Sequence, residues 1–294
     1  MSLVQYSDSE SDSESRTSPP CKKARHDPKP GPSLPPLPAA FHDLYASSTR
    51  VSVQDDPSLH GGRKRAIPHV EGNWPTHLYL EWYPAKEELS LLTELIAHAE
   101  TSLDENAPSV HSLLHSDLDA QLPLHISLSR PVVLRTEQRA PFTELLQKAI
   151  HDSHISPFEV LPDSLDWASN YDKTRWFLVL RVKKPAHDSL NGLLNLSNTA
   201  LARFDQPPLY AASSHKNSHQ RALPRGEKGA PLVEDYSNCF HISLAWSLSG
   251  PSEKDCARVA GMDLNALREC KIAFDSVKAK MGNNVVSIPL GKDL

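Results

Sequence analysis

Two stretches of this chain alternate apolar and polar residues with a period of two and share the same centre. Leu124-His125-Ile126-Ser127-Leu128-Ser129 and Phe240-His241-Ile242-Ser243-Leu244-Ala245-Trp246 each read as a strand. Successive side chains of a strand point to opposite faces, so the apolar residues share one face and histidine and serine the other. Around these motifs, strand and helix patterns interleave. Thr76–Tyr83 predicts a strand, then Pro84 and a helix near 85–103; apolar Val132–Leu134 follows the first motif, with a helix near 136–151. Phe158–Leu161, Trp167 and Arg175–Val182 predict antiparallel strands joined around Asn170-Tyr171-Asp172-Lys173, followed by a helix near 186–204. After the second motif come a helix near 252–260 and strands at 270–279 and 284–290, turning at Gly282-Asn283-Asn284. The two motifs lie 116 residues apart. They read as a weak internal repeat, two lobes of one α+β domain rather than two domains.

The periodicity fails in two polar stretches, one N-terminal and one internal. Residues 7–15 are serines alternating with acids, Lys22, Lys23 and Arg25 form a basic cluster, and 28–38 are proline-rich. Such a segment buries too little to offset its chain entropy. Residues 1–65 are therefore expected to be mostly disordered and 66–294 to fold. The acidic serines suit phosphorylation, and Lys22–Arg25 or Arg63–Arg65 suit nuclear import. The polar stretch 211–231 predicts a long loop, functional or disordered.

Composition narrows the class. Hydrophobic residues at 39 % of the 294 are enough for a core, and no run of apolar residues is long enough for a membrane span. Cys21, Cys239, Cys256 and Cys270 form no CxxC pair, and the start carries no signal stretch, so reduced thiols in an intracellular protein are expected. A net charge of −5 argues against a broad basic docking surface but not against a local site for a few terminal phosphates. No GK[ST] phosphate loop is present. His111 and His115, like His215 and His219, have the i, i+4 spacing that can hold zinc on a helix, but neither pair has an evident third ligand, so a solvated face is the simpler reading. No metal or cofactor is expected. The five tryptophans read as core or lobe-interface residues.

His-x-Ser by itself is a weak signal, because it occurs five times here, at His125, His151, His154, His187 and His241. A lone strand histidine is ordinarily a surface or hydrogen-bonded residue. Only the motifs at 125 and 241 set both residues on one strand face against matching apolar flanks. Metal-independent RNA cleavage needs a base for the 2′-hydroxyl, an acid for the departing 5′-oxygen and donors for the phosphate oxygens. Two imidazoles at an ordinary pKa near ~6.5 serve as base and acid, and serines as donors.

The sequence resembles the 2H phosphoesterase superfamily, marked by paired H-x-S strands, and within it the U6 small nuclear RNA phosphodiesterases. The similar stretches are Leu3–Ser7, His60–Arg63 leading to Gly72–His77, Leu124–Leu134, Lys173–Arg175, Phe240–Trp246, Gly282-Asn283 and Ser287–Leu290. The resemblance implies a two-lobed fold of antiparallel sheets flanked by helices, with a central cleft. It implies a nuclear, monomeric 3′-to-5′ RNA exonuclease that trims the oligo-uridine end of U6, releasing a nucleoside monophosphate and leaving a 2′,3′-cyclic phosphate, which some members open to a 3′-phosphate. By family position His125, Ser127, His241 and Ser243 form the active-site quartet, with His241 favoured as base and His125 as acid. Relatives often carry tyrosine and an Asp-Pro-Ser-like run before the second motif. Here Glu234–Cys239 occupies that place, so Tyr236 is a stacking candidate whose spacing is in doubt, with Tyr171 as a second; Cys239 and Phe240 are also expected near substrate. Two other readings remain open: a cyclic phosphodiesterase for another RNA or nucleotide, and a non-catalytic RNA-end binder.

Overall fold

The computed structural model describes residues 70–104, 109–116, 118–210 and 235–291. The expected disorder over 1–65, with its acidic serines and basic clusters, and the 211–231 loop with His215 and His219 lie outside the described residues.

Strand β1 (Asn73–Trp82) is the spine. It sends Leu78, Leu80 and Trp82 into the core and leaves His77 and Glu81 on the opposite face. The first motif forms β3 (Leu124–Ser127), with β4 (Val132–Arg135) after it, and the second forms β8 (His241–Ser247). A short β2 (His111–Ser112), the hairpin β6 (Pro162–Ser169) and β7 (Trp176–Val182), and the hairpin β10 (Ser276–Met281) and β11 (Asn284–Pro289) complete the sheet. Its order is β11-β10-β1-β3-β8-β7-β6, with β4 beside β1 and β2 beside β8. β5 (Phe158–Val160) and β9 (Ile272–Phe274) pair separately. The nine-stranded sheet is two wings joined where β3 meets β8, through the pair Ile126 and Ile242.

Helices cover the apolar face because their own apolar residues fall on one stripe. α1 (Lys86–Ser102) buries Leu92, Leu95, Ile96 and Ala99, and α2 (Arg139–Asp152) buries Phe142, Leu146 and Ile150. α3 (Ser189–Ala202) is buried along most of its length, and α4 (Glu253–Ala260) starts at Ser252, whose Oγ accepts from the Asp255 N–H at 3.2 Å. These spans match the sequence pattern closely, and all described residues belong to one compact unit. Among them no helix is long and apolar enough to cross a membrane.

The helix-spaced pair His111 and His115 does not lie on a helix. His111 is in β2 with its ring stacked on Trp246 at 4.4 Å, and His115 forms an isolated bridge to Gln121. Gly282 turns the β10–β11 hairpin at φ +61°, and a Cβ there would stand 2.7 Å from the Trp74 ring. Gly282→Ala is expected to cost about 1–3 kcal/mol through strain and this clash, read as a lower urea midpoint at unchanged slope.

Candidate active site

The four residues of the two motifs meet at the seam between the wings. β3 and β8 are antiparallel neighbours in one sheet. With Ile126 opposite Ile242, the register sets His125 beside Ser243 and Ser127 beside His241. Each histidine therefore stands next to the other motif's serine. All four are half-buried on one face, while Leu124, Ile126, Ile242 and Leu244 are sealed beneath them. Ser129, which shares the alternation, is buried instead and accepts the Leu78 N–H at 2.8 Å. It extends the β1–β3 ladder rather than the site.

His241 is held by its backbone neighbourhood. Its Nδ1 lies 2.7 Å from the Cys239 carbonyl oxygen. A carbonyl can only accept, so Nδ1 carries the proton and the neutral ring keeps its lone pair on Nε2. The same carbonyl accepts from the Tyr210 hydroxyl at 3.0 Å and from the Arg181 guanidinium at 3.1 Å. Arg181, opposite His241 on β7, is itself fixed to Asp166 at 2.7 Å. From α3, Asn191 accepts the Tyr236 N–H at 3.0 Å and donates to Asp235 at 2.9 Å, which anchors the turn leading into β8.

The imidazoles do not keep their ordinary pKa. Burial, then the neighbouring His241, then Lys280 push His125 down to about 4. Burial also lowers His241, opposed by its hydrogen bond to Cys239. His77 on β1 is pushed down to about 3 by burial, His125 and Lys280. Burial and the neighbouring positive charge thus favour neutral imidazoles until an anion arrives, which would favour the protonated form of His125.

The expected substrate contacts separate. Tyr171 is 80 % exposed, with the Arg130 guanidinium 4.2 Å over its ring. Tyr236 is half-buried, 5.9 Å from the Tyr210 ring. Phe240 is fully buried with Tyr210 edge-on at 6.0 Å, so its side chain has no surface for a base; the strand alternation that turns His241 outward turns Phe240 inward. Cys239 contributes its carbonyl, and burial raises its thiol pKa. His77, Tyr79, Arg181, Tyr210 and Lys280 also border the quartet, unmarked by the motif reading. Their signal is cross-strand register, which the alternation of Thr76-His77-Leu78-Tyr79 hints at without fixing its partner. Among the described residues, no three His, Cys, Asp or Glu side chains gather as a metal site.

A crossed pair of His-x-Ser strands at the centre of an antiparallel sheet flanked by helices is the arrangement of a 2H phosphoesterase. The chain belongs to the family of the U6 snRNA phosphodiesterases, and the HVSL family model, described as an uncharacterised conserved protein, matches residues 35–289. It is 32 % identical to U6 snRNA phosphodiesterase 1 of Neurospora crassa, over 90 % of this chain and 77 % of that one. The human U6 snRNA phosphodiesterase 1 is 28 % identical over 98 % of both chains. The fold is similar to that of Kluyveromyces marxianus Usb1 solved with uridine monophosphate, with a TM-score of 0.55 and 17 % identity over 75 % of this chain and 99 % of that one.

Proposed function

We propose that this chain is a metal-independent 3′-to-5′ RNA phosphodiesterase that trims the 3′ oligo-uridine tail of U6 small nuclear RNA, acting in the nucleus as a monomer. The curated relatives carry U6 snRNA and phosphodiesterase in their names. The observation that carries the chemistry is the crossed register of the two motifs together with the fixed tautomer of His241. His241 Nε2 takes the proton of the penultimate 2′-hydroxyl, whose oxygen attacks the last phosphorus. The P–O5′ bond breaks, and His125 delivers a proton to the departing 5′-oxygen. Ser127 and Ser243 donate to the non-bridging oxygens as their charge grows. Their hydroxyls flank the phosphorus from the two strands.

The RNA is left with a 2′,3′-cyclic phosphate. Atom balance corrects the expectation that every cut releases a nucleoside monophosphate, because the phosphorus stays on the RNA as the cyclic phosphate. From a diol end the first unit leaves as a nucleoside with a free 5′-hydroxyl, and only later units carry the phosphate of the preceding cut. Ring opening by water with His125 as base, the reverse of its acid step, gives a 3′-phosphate. Tyr171, braced by Arg130, is the base-stacking platform, and Tyr236 packs beside the turn before His241.

The test is a uridine-tailed RNA incubated with the protein in excess EDTA. Stepwise shortening from the 3′ end, with cyclic or 3′-phosphate ends by mass spectrometry, is the expected result. Opening of a nucleoside cyclic phosphate without shortening would assign another substrate, and binding without product would make the chain an RNA-end binder.

A further inference from the structure

We propose that His77 is a positioning residue for Ser127: its Nε2–H donates to Ser127 Oγ, so that the serine keeps its single hydroxyl proton for the phosphate. This rests on the reading of Ser127 as a phosphate donor.

The strand pattern puts His77 on the polar face of β1, two residues from Tyr79, which lies directly opposite Ser127. A diagonal cross-strand neighbour is within reach of a long side chain, and His77 Nε2 stands 3.1 Å from Ser127 Oγ. The ring is fixed from two sides, stacked on Tyr79 at 5.2 Å and edge-on to His125 at 5.4 Å. It touches both members of the first motif, yet its register partner is Lys280 on β10, away from β3.

The direction of the hydrogen bond follows from counting protons. A serine hydroxyl has one proton and two lone pairs. Were His77 the acceptor, that proton would be consumed and nothing would remain for an anion. The neutral imidazole that burial enforces has one N–H to place. Among the described residues its Nδ1 makes no hydrogen bond. With its proton on Nε2 the ring aims it at Oγ across the 3.1 Å contact, the arrangement that leaves the serine proton for an anion. A donor feeding the serine oxygen also polarises its O–H, strengthening the bond it gives onward.

His77→Phe keeps the ring stacking and removes the donor; His77→Gln returns an N–H at similar reach. The Phe variant is expected to lower kcat about 10–100-fold, the range seen when a partner that orients a functional side chain is lost, with KM moved little. The Gln variant should recover most of that loss. In a Ser127→Ala background, His77→Phe should cost nothing further. Melting midpoints accompany each variant, and if the Phe protein does not fold, His77→Asn, whose amide stops short of Oγ, replaces it. Nitrogen-15 NMR of the intact protein should show His77 protonated at Nε2.

Wild-type turnover in His77→Phe, equal losses in the Phe and Gln variants, a full further loss in the Ser127→Ala background, or a proton on Nδ1 would each overturn the inference. A fully active Ser127→Ala protein would instead remove Ser127 as a phosphate donor, and His77 with it. Activity surviving loss of His125 or His241 would strike at the mechanism as a whole.

Discussion

Alanine at His241 is expected to lower turnover on a uridine-tailed RNA by about 10²–10⁴-fold, and alanine at His125 by a comparable factor. The two losses differ in what remains. On the proposed mechanism His241→Ala removes the acceptor of the 2′-hydroxyl proton, so activity should recover in part as pH rises and solvent hydroxide substitutes. On the same mechanism His125→Ala removes the proton donor to the 5′-oxygen, so an RNA with a better leaving group at the scissile position should restore activity in part. Binding of the RNA end, measured by fluorescence anisotropy, should change far less than turnover, because proton transfer belongs to the transition state and not to the bound ground state. Equal activity in wild type and either alanine protein would take that histidine out of the reaction. The expected loss exceeds that of any single supporting residue, since general base and general acid act on the bonds being made and broken.

Stability should fall as pH is lowered from 6.5 towards 4, from the depression of the same buried imidazoles. In the unfolded chain each histidine titrates near 6.5, whereas in the fold His125 is held at about 4 and His77 at about 3. Between those values the unfolded state binds more protons. The stabilisation from keeping these rings neutral is therefore fully present above pH 6.5 and lost as pH falls towards the folded values. At about 1.4 kcal/mol per pKa unit, His125 alone contributes on the order of 3 kcal/mol. Asp235 and Asp255 have lowered pKa values and act below 3.8, outside most of this window. Urea denaturation at a series of pH values should show the fall, and His77→Phe should flatten it. A slope unchanged by that substitution would mean that His77 is not held neutral by the fold.

Most of the architecture was legible in the chain. The period-two runs of both motifs, the stripe Leu92, Leu95, Ile96, Ala99 and the turn at Gly282 define their elements locally, and the structure places them there. What local patterning cannot supply is register. Which residue stands opposite which is decided by long-range pairing, so the crossing of His125 with Ser243 and of Ser127 with His241 is visible only once Ile126 meets Ile242. The same limit hid His77, whose partner is 50 residues away, and Tyr210, whose hydroxyl reaches a carbonyl 29 residues on. Phe240 shows the opposite error. Its neighbourhood to His241 in sequence suggested neighbourhood to substrate, and the pleat turned it into the core.

Because β3 and β8 meet through main-chain pairing and not through a loop, His125, Ser127, His241 and Ser243 inherit their alignment from strand register. The polypeptide connecting the strands is then at liberty to lengthen, shorten or change chemistry. A change in those connections would alter what lies around the four side chains while leaving their mutual spacing as the strands set it.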